Sequence, residues 1–326
     1  MYPEIMDAMR QPRQTQWEHF LRRAGLEPDL SCEQTVLLVE DGQILACGSR
    51  SGNVLKCIAV DPARQGEGLT GQLLTILRQE AFRAGFDHLF LYTKPRNRQL
   101  FEPLLFHPVA QTRQVLLMEN RRGGIRRFLE GLDNSHGQGK IGCIVMNADP
   151  FTLGHRHLVE QAAKACDWLY VFVLSEDRGT FSAADRMAMV RRGIAHLCNV
   201  TVHSTGSYLI SSATFPSYFL KDRGQADREH CLLDLAVFTK WFAPHFGITH
   251  RFAGTEPNCP VTRLYNAEMA RILPENGITF VEIPRLELEG TAVSAGIVRE
   301  RIREGKDIRG LVPESTYAYL QEIDRI

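Results

Sequence analysis

The stretch IGCIVMNADPFTLGHRHLVEQA, Ile141 to Ala162, decides the fold. Its first six residues form a continuous apolar run, as in a strand buried on both faces. Pro150 interrupts the chain, and beyond it Leu158, Val159, Ala162, Ala163 and Cys166 recur on one helical face. A buried strand turning straight into an amphipathic helix is a unit of a parallel sheet. Gly154 and His155 stand where that helix opens. The glycine permits close approach of a phosphate, while the helix N-terminus and the histidine face charge that builds on a phosphate during displacement. Taken alone, a histidine at a helix start is a capping or surface residue; the strand, proline, Thr152-x-Gly-His and helix together point to chemistry.

The alternation continues downstream. WLYVFVL (168–174) is the next strand, and Ser182 caps the following helix with Asp185 three residues on, carrying Met187, Val190 and Ile194 inward. Strand VTVHS, a long helix near 229–246 ending at Gly247, strand THRFAG, a helix near 261–272, strand TFVEI and two C-terminal helices complete the pattern. It predicts a Rossmann-like, doubly wound parallel sheet of the α/β class.

Upstream, ENRRGGIRRFLEGLDNSHGQGK (119–140) loses the apolar strands and collects Gly, Arg, Asn and Ser, which marks a boundary between domains at 1–130 and 131–326. Its RRGGIRR run reads as a solvated linker, or as a dock for an acidic partner. Before it come a helix near 15–24 and the strands TVLLVE and ILACGS, a hairpin turning at Asp41-Gly42. Strand NVLKCIAV, a helix near 69–84, strand HLFLYT, a short helix near 98–105 and strand TRQVLLM follow. The first domain is therefore α+β.

The 326 residues hold 38 basic and 38 acidic side chains, so no excess positive field marks a partner in nucleic acid or a membrane surface. Eight cysteines form no CxxC or CxxxxC pair, against a zinc cluster or a disulfide framework. The first twenty residues lack the apolar core of a signal peptide, and no apolar run approaches about 20 residues. These features predict a cytoplasmic protein with reduced thiols.

A second glycine-rich turn lies in AVDPARQGEGLTGQLLTILRQEA (59–81), where a strand runs through Gly66, Gly68 and Gly71 into a helix. Backbone amides and a helix N-terminus there suit a pyrophosphate. The stretch resembles the coenzyme A loop of the GCN5-related N-acetyltransferase family, with Thr70 where that pattern has Gly or Ala. NRQLFEPLLF (97–106) resembles the same family's later segment, but Phe101 occupies the place of a tyrosine general acid. A phenyl ring donates no proton, so the resemblance implies binding of a pantetheine arm more than amine acetylation.

The opening stretch resembles the nucleotidyltransferase superfamily and its (H/T)xGH signature, with Thr152 and His155 as catalytic candidates and Asn147, Pro150, Phe151 and Gly154 as nucleotide contacts. TAVSAGIVRERI (291–302) is similar to the second signature, I-S-S-T-x-x-R. Ser294 opens its helix, Arg299 reaches the β- and γ-phosphates as a further catalytic candidate, and Ala295 and Gly296 replace two hydroxyls. Between the signatures, the resemblance implies a phosphate contact for Arg178, while Arg186 is either a phosphate ligand or a structural ion pair.

An acetyltransferase-like domain followed by a nucleotidyltransferase domain resembles, over nearly the whole chain, the citrate (pro-3S)-lyase ligase family, also called acetate:citrate-lyase ligase. YLISSATFPSYFLKD (208–222) and THRFAGTEPNCPVTRLYN (249–266) fit it too, the latter placing Thr255 and Glu256 at a strand's C-terminal edge, where ligands bind in open α/β sheets. The family implies ATP with Mg²⁺, and acetate activated as acetyl-adenylate. It implies acetyl transfer to the thiol of a phosphoribosyl-dephospho-CoA arm on the acyl-carrier subunit of citrate lyase. No dedicated metal site is expected. Two other readings stand beside it: an adenylyltransferase moving AMP onto a phosphate of a cofactor precursor, and a non-catalytic protein that binds CoA or nucleotide.

Overall fold

The structure, a computed structural model, describes residues 1–7, 10–136, 138–176, 179–210, 215–220, 223–256, 259–288 and 291–326. The chain forms two compact units, Met1–Gly124 with Pro216–Glu229, and Ile125–Phe215 with His230–Ile326. A linear cut at 130/131 does not describe the return of 216–229 to the first unit.

In the first unit β1 (Tyr2–Met6), α1 (Arg13–Arg23), β2 (Gln34–Glu40), β3 (Gln43–Ser51), β4 (Val54–Val60), α2 (Leu69–Arg83), β5 (Phe90–Thr93), α3 (Arg98–Phe101), β6 (His107–Gln111) and β7 (Leu116–Glu119) follow in order. They build a seven-stranded sheet, β1-β2-β3-β4-β5-β7-β6. The central VLLV (36–39) of β2 is apolar throughout because both sheet faces are covered. Val36 and Leu38 join Leu73 and Leu77 of α2, while Leu37 and Val39 join Trp17 and Leu21 of α1. The hairpin turn forms at Asp41 (φ 50°) and Gly42 (φ 78°), both left-handed as a two-residue turn between twisted strands requires. β4 and β5 are parallel and pair only at Val54–Phe90 and Leu55–Leu91. Beyond that point a groove opens between them.

Sequence periodicity misses β1 and β6, whose YPEIM and HPVAQ carry a proline each and little alternation. It also misses α4 (Gly124–Glu130), which lies inside the basic stretch and buries Ile125 and Leu129.

In the second unit β8 (Ile141–Met146), α5 (Leu153–Lys164), β9 (Trp168–Val173), α6 (Ala183–Gly193), β10 (Val200–Ser204), α7 (Arg223–Val237), α8 (Ala243–Phe246), β11 (His250–Gly254), α9 (Pro260–Glu275) and β12 (Thr279–Ile283) alternate as expected. The first seven residues of α7 pack with the first unit. A π-helical turn at Phe238–Phe242 joins α7 to α8, and Gly247 (φ 64°) ends the run. A short hairpin, β13 (Glu287–Leu288) and β14 (Thr291–Ala292), precedes α10 (Ala295–Arg303) and α11 (Glu314–Glu322). The five long strands are parallel in the order β10-β9-β8-β11-β12. The chain builds outward from β8 to β10, then crosses to β11 on the other side. The crevice between β8 and β11 is therefore the switch point where ligands of such sheets bind. On α6 Met189 and Val190 are fully buried and Ile194 nearly so, whereas Met187 packs half-buried at the core's edge.

Candidate active site

The loop after β8 is held in place before it holds anything else. Arg186, fully buried on α6, donates from Nη1 to the carbonyl of Asn147 at 2.9 Å and to its Oδ1 at 2.8 Å, and from Nε to the Phe181 carbonyl at 3.3 Å. These bonds give Arg186 a structural part, as in one of its two sequence readings, though they run to neutral oxygens and make no ion pair themselves. Asp149, also buried, accepts from the amides of Thr180 (3.0 Å) and Phe181 (2.9 Å). Ala148 between them sits at φ 53°, a strained conformation for a residue with a Cβ, and these flanking bonds hold it there.

Thr152 caps α5, its Oγ1 accepting from the His155 amide at 3.3 Å, while the Thr152 amide donates to His155 Nδ1 at 3.0 Å. The histidine thus closes a capping box normally closed by Glu or Gln. Because Nδ1 is an acceptor, the neutral ring carries its proton on Nε2. Burial, then the charges of Arg285 and Arg299, push its pKa down to about 4. Phe151 stacks on the ring, 5.7 Å between centroids at 16°, and is itself wedged against Gly193. Phe151 and Pro150 are buried behind the crevice and do not line it; Asn147, Thr152, Gly154 and His155 do.

The second signature meets the first across this crevice of about 590 Å³. Ser294 caps α10, accepting from the Ile297 amide at 3.3 Å, and lines the crevice with Arg299. Arg299 donates to the Asp149 carbonyl, with the Asp149 carboxylate 3.7 Å away. A Cβ on Gly154 would lie 2.8 Å from the Val293 carbonyl oxygen, so the close approach this glycine allows is by the backbone leading into α10. Arg178 lies outside the described residues.

At the end of β11, Thr255 and Glu256 grip a residue that sequence reading missed. Arg285 donates from Nε to the Thr255 carbonyl at 2.6 Å and pairs with Glu256, and its amide donates to Thr255 Oγ1 at 3.3 Å. Glu256 and Arg285 line the crevice and Thr255 does not. An arginine two residues past the end of β12, on the same sheet edge, was the available signal.

The first unit's groove, about 780 Å³, lies where β4 and β5 part. Gly66 (φ 91°) and Gly68 (φ 76°, the N-cap of α2) line it, as does Gly71 in the first helical turn. Phe101 is buried in its wall. Tyr218, from the returning segment, also lines it and donates its hydroxyl to the Tyr92 carbonyl at 3.2 Å. Among the described residues there is no cluster of three or more His, Cys, Asp or Glu able to hold a metal ion, and no helix long and apolar enough to cross a membrane.

A Thr-x-Gly-His helix start facing a Ser and Arg from a second signature, at the switch point of a parallel sheet, defines a nucleotidyltransferase-type domain, here preceded by an acetyltransferase-like one. Family models agree: Acetyltransferase (GNAT) family matches residues 2–102 and Citrate lyase ligase C-terminal domain matches 141–320. The chain is 46% identical to a citrate (pro-3S)-lyase ligase of Klebsiella pneumoniae, over 96% of this chain and 94% of that one. It is 40% identical to that of Escherichia coli K12, over 93% and 89%. It belongs to the citrate (pro-3S)-lyase ligase family. Among solved structures, a putative nicotinate-nucleotide adenylyltransferase from Vibrio parahaemolyticus matches 58% of this chain and 95% of its own, at 16% identity and TM-score 0.40.

Proposed function

We propose that the chain activates citrate lyase by ATP-dependent acetylation of its acyl-carrier subunit, in two steps divided between the two units. In the first, a carboxylate oxygen of acetate bonds to the α-phosphorus of ATP, and the bond to the bridging oxygen breaks with its electron pair leaving on pyrophosphate. His155 donates a hydrogen bond from Nε2 to the α-phosphate without giving up its proton, and Arg299 and Arg285 offset the charge spreading over the phosphates. Asn147, Gly154 and Ser294 border the nucleotide. Mg²⁺ enters with the triphosphate, whose charge it offsets; among the described residues Glu256 pairs with Arg285 and Asp149 accepts from two amides.

In the second step the thiolate of the carrier's phosphoribosyl-dephospho-CoA arm attacks the acetyl carbonyl and AMP leaves. A thiolate attacking an acyl-adenylate needs positioning more than a general acid, which is compatible with Phe101. Gly66, Gly68 and Gly71 cradle the arm. The acceptor must be a reduced thiol, which fits a cytoplasmic enzyme.

The observation that carries this reading is His155 at the switch point, its Nδ1 taken by the Thr152 amide so that its proton is on Nε2, with Arg285 and Arg299 lining the same crevice. The test is ATP–pyrophosphate exchange with Mg²⁺ and acetate, without carrier. Exchange should require acetate and fall at least about a hundredfold in His155→Ala. Exchange with no need of a carboxylate, or unchanged in the variant, would reject the reading.

A further inference from the structure

We infer that Arg251 holds the carboxylate of the acid that is activated, an inference that rests on the proposed adenylation and supplies its missing acid subsite. Arg251 lies on β11 at the last position where β11 still pairs with β8, opposite Cys143; beyond it the strands part and the crevice opens. Its side chain is thus at the closed end of the crevice, which it lines, and the residue is only 4% exposed.

The guanidinium there makes few direct contacts. Among the described residues its one hydrogen bond is from Nη1 to the Cys143 sulfur, at 3.2 Å, and its carbon stands 4.6 Å from the Phe238 ring centroid. Its surroundings, Asp234 among them, favour the charged form, but Asp234 accepts the Tyr265 hydroxyl and touches the guanidinium with neither a hydrogen bond nor a close ion pair. A thiol is a weak acceptor and an aromatic face a partial one, whereas a buried cation ordinarily requires a paired anion. By contrast Arg186, as deeply buried, has its donors on backbone carbonyls and an amide oxygen. The difference between the two arginines is that Arg251 opens onto a cavity.

The surroundings specify the missing anion. Side chains alternate along a strand, so Cys143 and Val145 on β8 share a face with Arg251 and Ala253 on β11. Val145 and Ala253, with Met269 of α9, give the crevice apolar wall next to the cation. A guanidinium beside small apolar walls fits a short monocarboxylate, its head on the cation and its methyl against the walls. Arg251 donates to one carboxylate oxygen and keeps its protons throughout; the other oxygen makes the bond to the α-phosphorus.

Two readouts test this. In acetate-dependent ATP–pyrophosphate exchange, Arg251→Gln should raise the KM for acetate about thirtyfold, with Arg251→Lys between it and wild type, while the KM for ATP stays within about threefold. An acetate KM unchanged in folded Arg251→Gln overturns the assignment. Should the glutamine variant not fold, Val145→Ala decides: trimming the wall should raise the kcat/KM ratio of propionate to acetate about tenfold, and an unchanged ratio overturns it. Saturation-transfer NMR on the acetate methyl protons reads binding apart from catalysis. Where no exchange is detected, a signal with the wild type that Arg251→Gln loses supports the anchor. Equal signals, or none with the wild type, overturn it. Absent exchange with intact, Arg251-dependent binding would reject the adenylation instead.

Discussion

His155 donates from Nε2 because Thr152 has taken Nδ1, and it stays neutral because partial burial and the charges of Arg285 and Arg299 disfavour its cation. Its pKa falls from 6.5 to about 4, so between those values an unfolded chain takes up a proton that the folded one refuses. The stability from this residue is full above pH 6.5 and is lost as pH falls toward 4. Unfolding free energies from urea titrations without nucleotide should therefore drop more from pH 7 to pH 5 in the wild type than in His155→Gln, by about 1–2 kcal/mol. Equal slopes would mean the ring is not desolvated as described. Arginines divide by what surrounds them: Arg186 clamps a loop, Arg299 and Arg285 face the crevice, and Arg251 waits at its floor. A one-letter sequence shows each as the same cation. Thr152, Gly154 and His155 are legible because helix caps and glycine turns have local signatures, and Ser294 and Arg299 through the resemblance of their stretch to the second signature. Arg251 and Arg285 are not, since their meaning depends on strands far away in the chain.

At the scale of elements, the N-terminal turn of α5 and the segment entering α10 form one joint, made possible by Gly154. An added methyl would sit 2.8 Å from a backbone oxygen, which cannot swing aside as a side chain would. Gly154→Ala should cost about 1–3 kcal/mol of stability and lower pyrophosphate exchange about tenfold or more, read by thermal denaturation and the exchange assay. A variant of wild-type stability that only loses affinity for ATP would instead assign the glycine to phosphate approach. Elements with strong periodicity, β8, α5, β9 and α9 among them, are legible in the order of residues alone. β1 and β6 are not, because short strands near a sheet edge are specified by their neighbours. In α4 the spacing of Ile125, Phe128 and Leu129 is present but masked by six arginines and glycines around it.

At the scale of the whole molecule, each unit carries its own glycine-containing turn into a helix, and the proposed division of labour can be tested by experiment. Gly66 and Gly68 both adopt left-handed backbone, and no atom lies within 4 Å of where a Cβ would be, so a side chain there strains the loop and intrudes on the groove without clashing. Replacing both with valine should raise the KM for the carrier substrate about tenfold or more and leave acetate-dependent pyrophosphate exchange intact. Joint loss of both activities in a folded variant would reject the division.

The sequence by itself determined the α+β then parallel α/β order, the strand-to-helix turn with its Thr-x-Gly-His, and the serine and arginine of the second signature. All of these are local, since hydrophobic period, caps and glycine turns depend on residues within a few positions. Only the tertiary structure decided that 216–229 returns to the first unit, that Arg186 is a clamp, and that Arg251 is a buried cation facing a cavity. Burial and counter-charge are properties of what packs around a side chain, and in a parallel sheet those neighbours come from strands about a hundred residues apart.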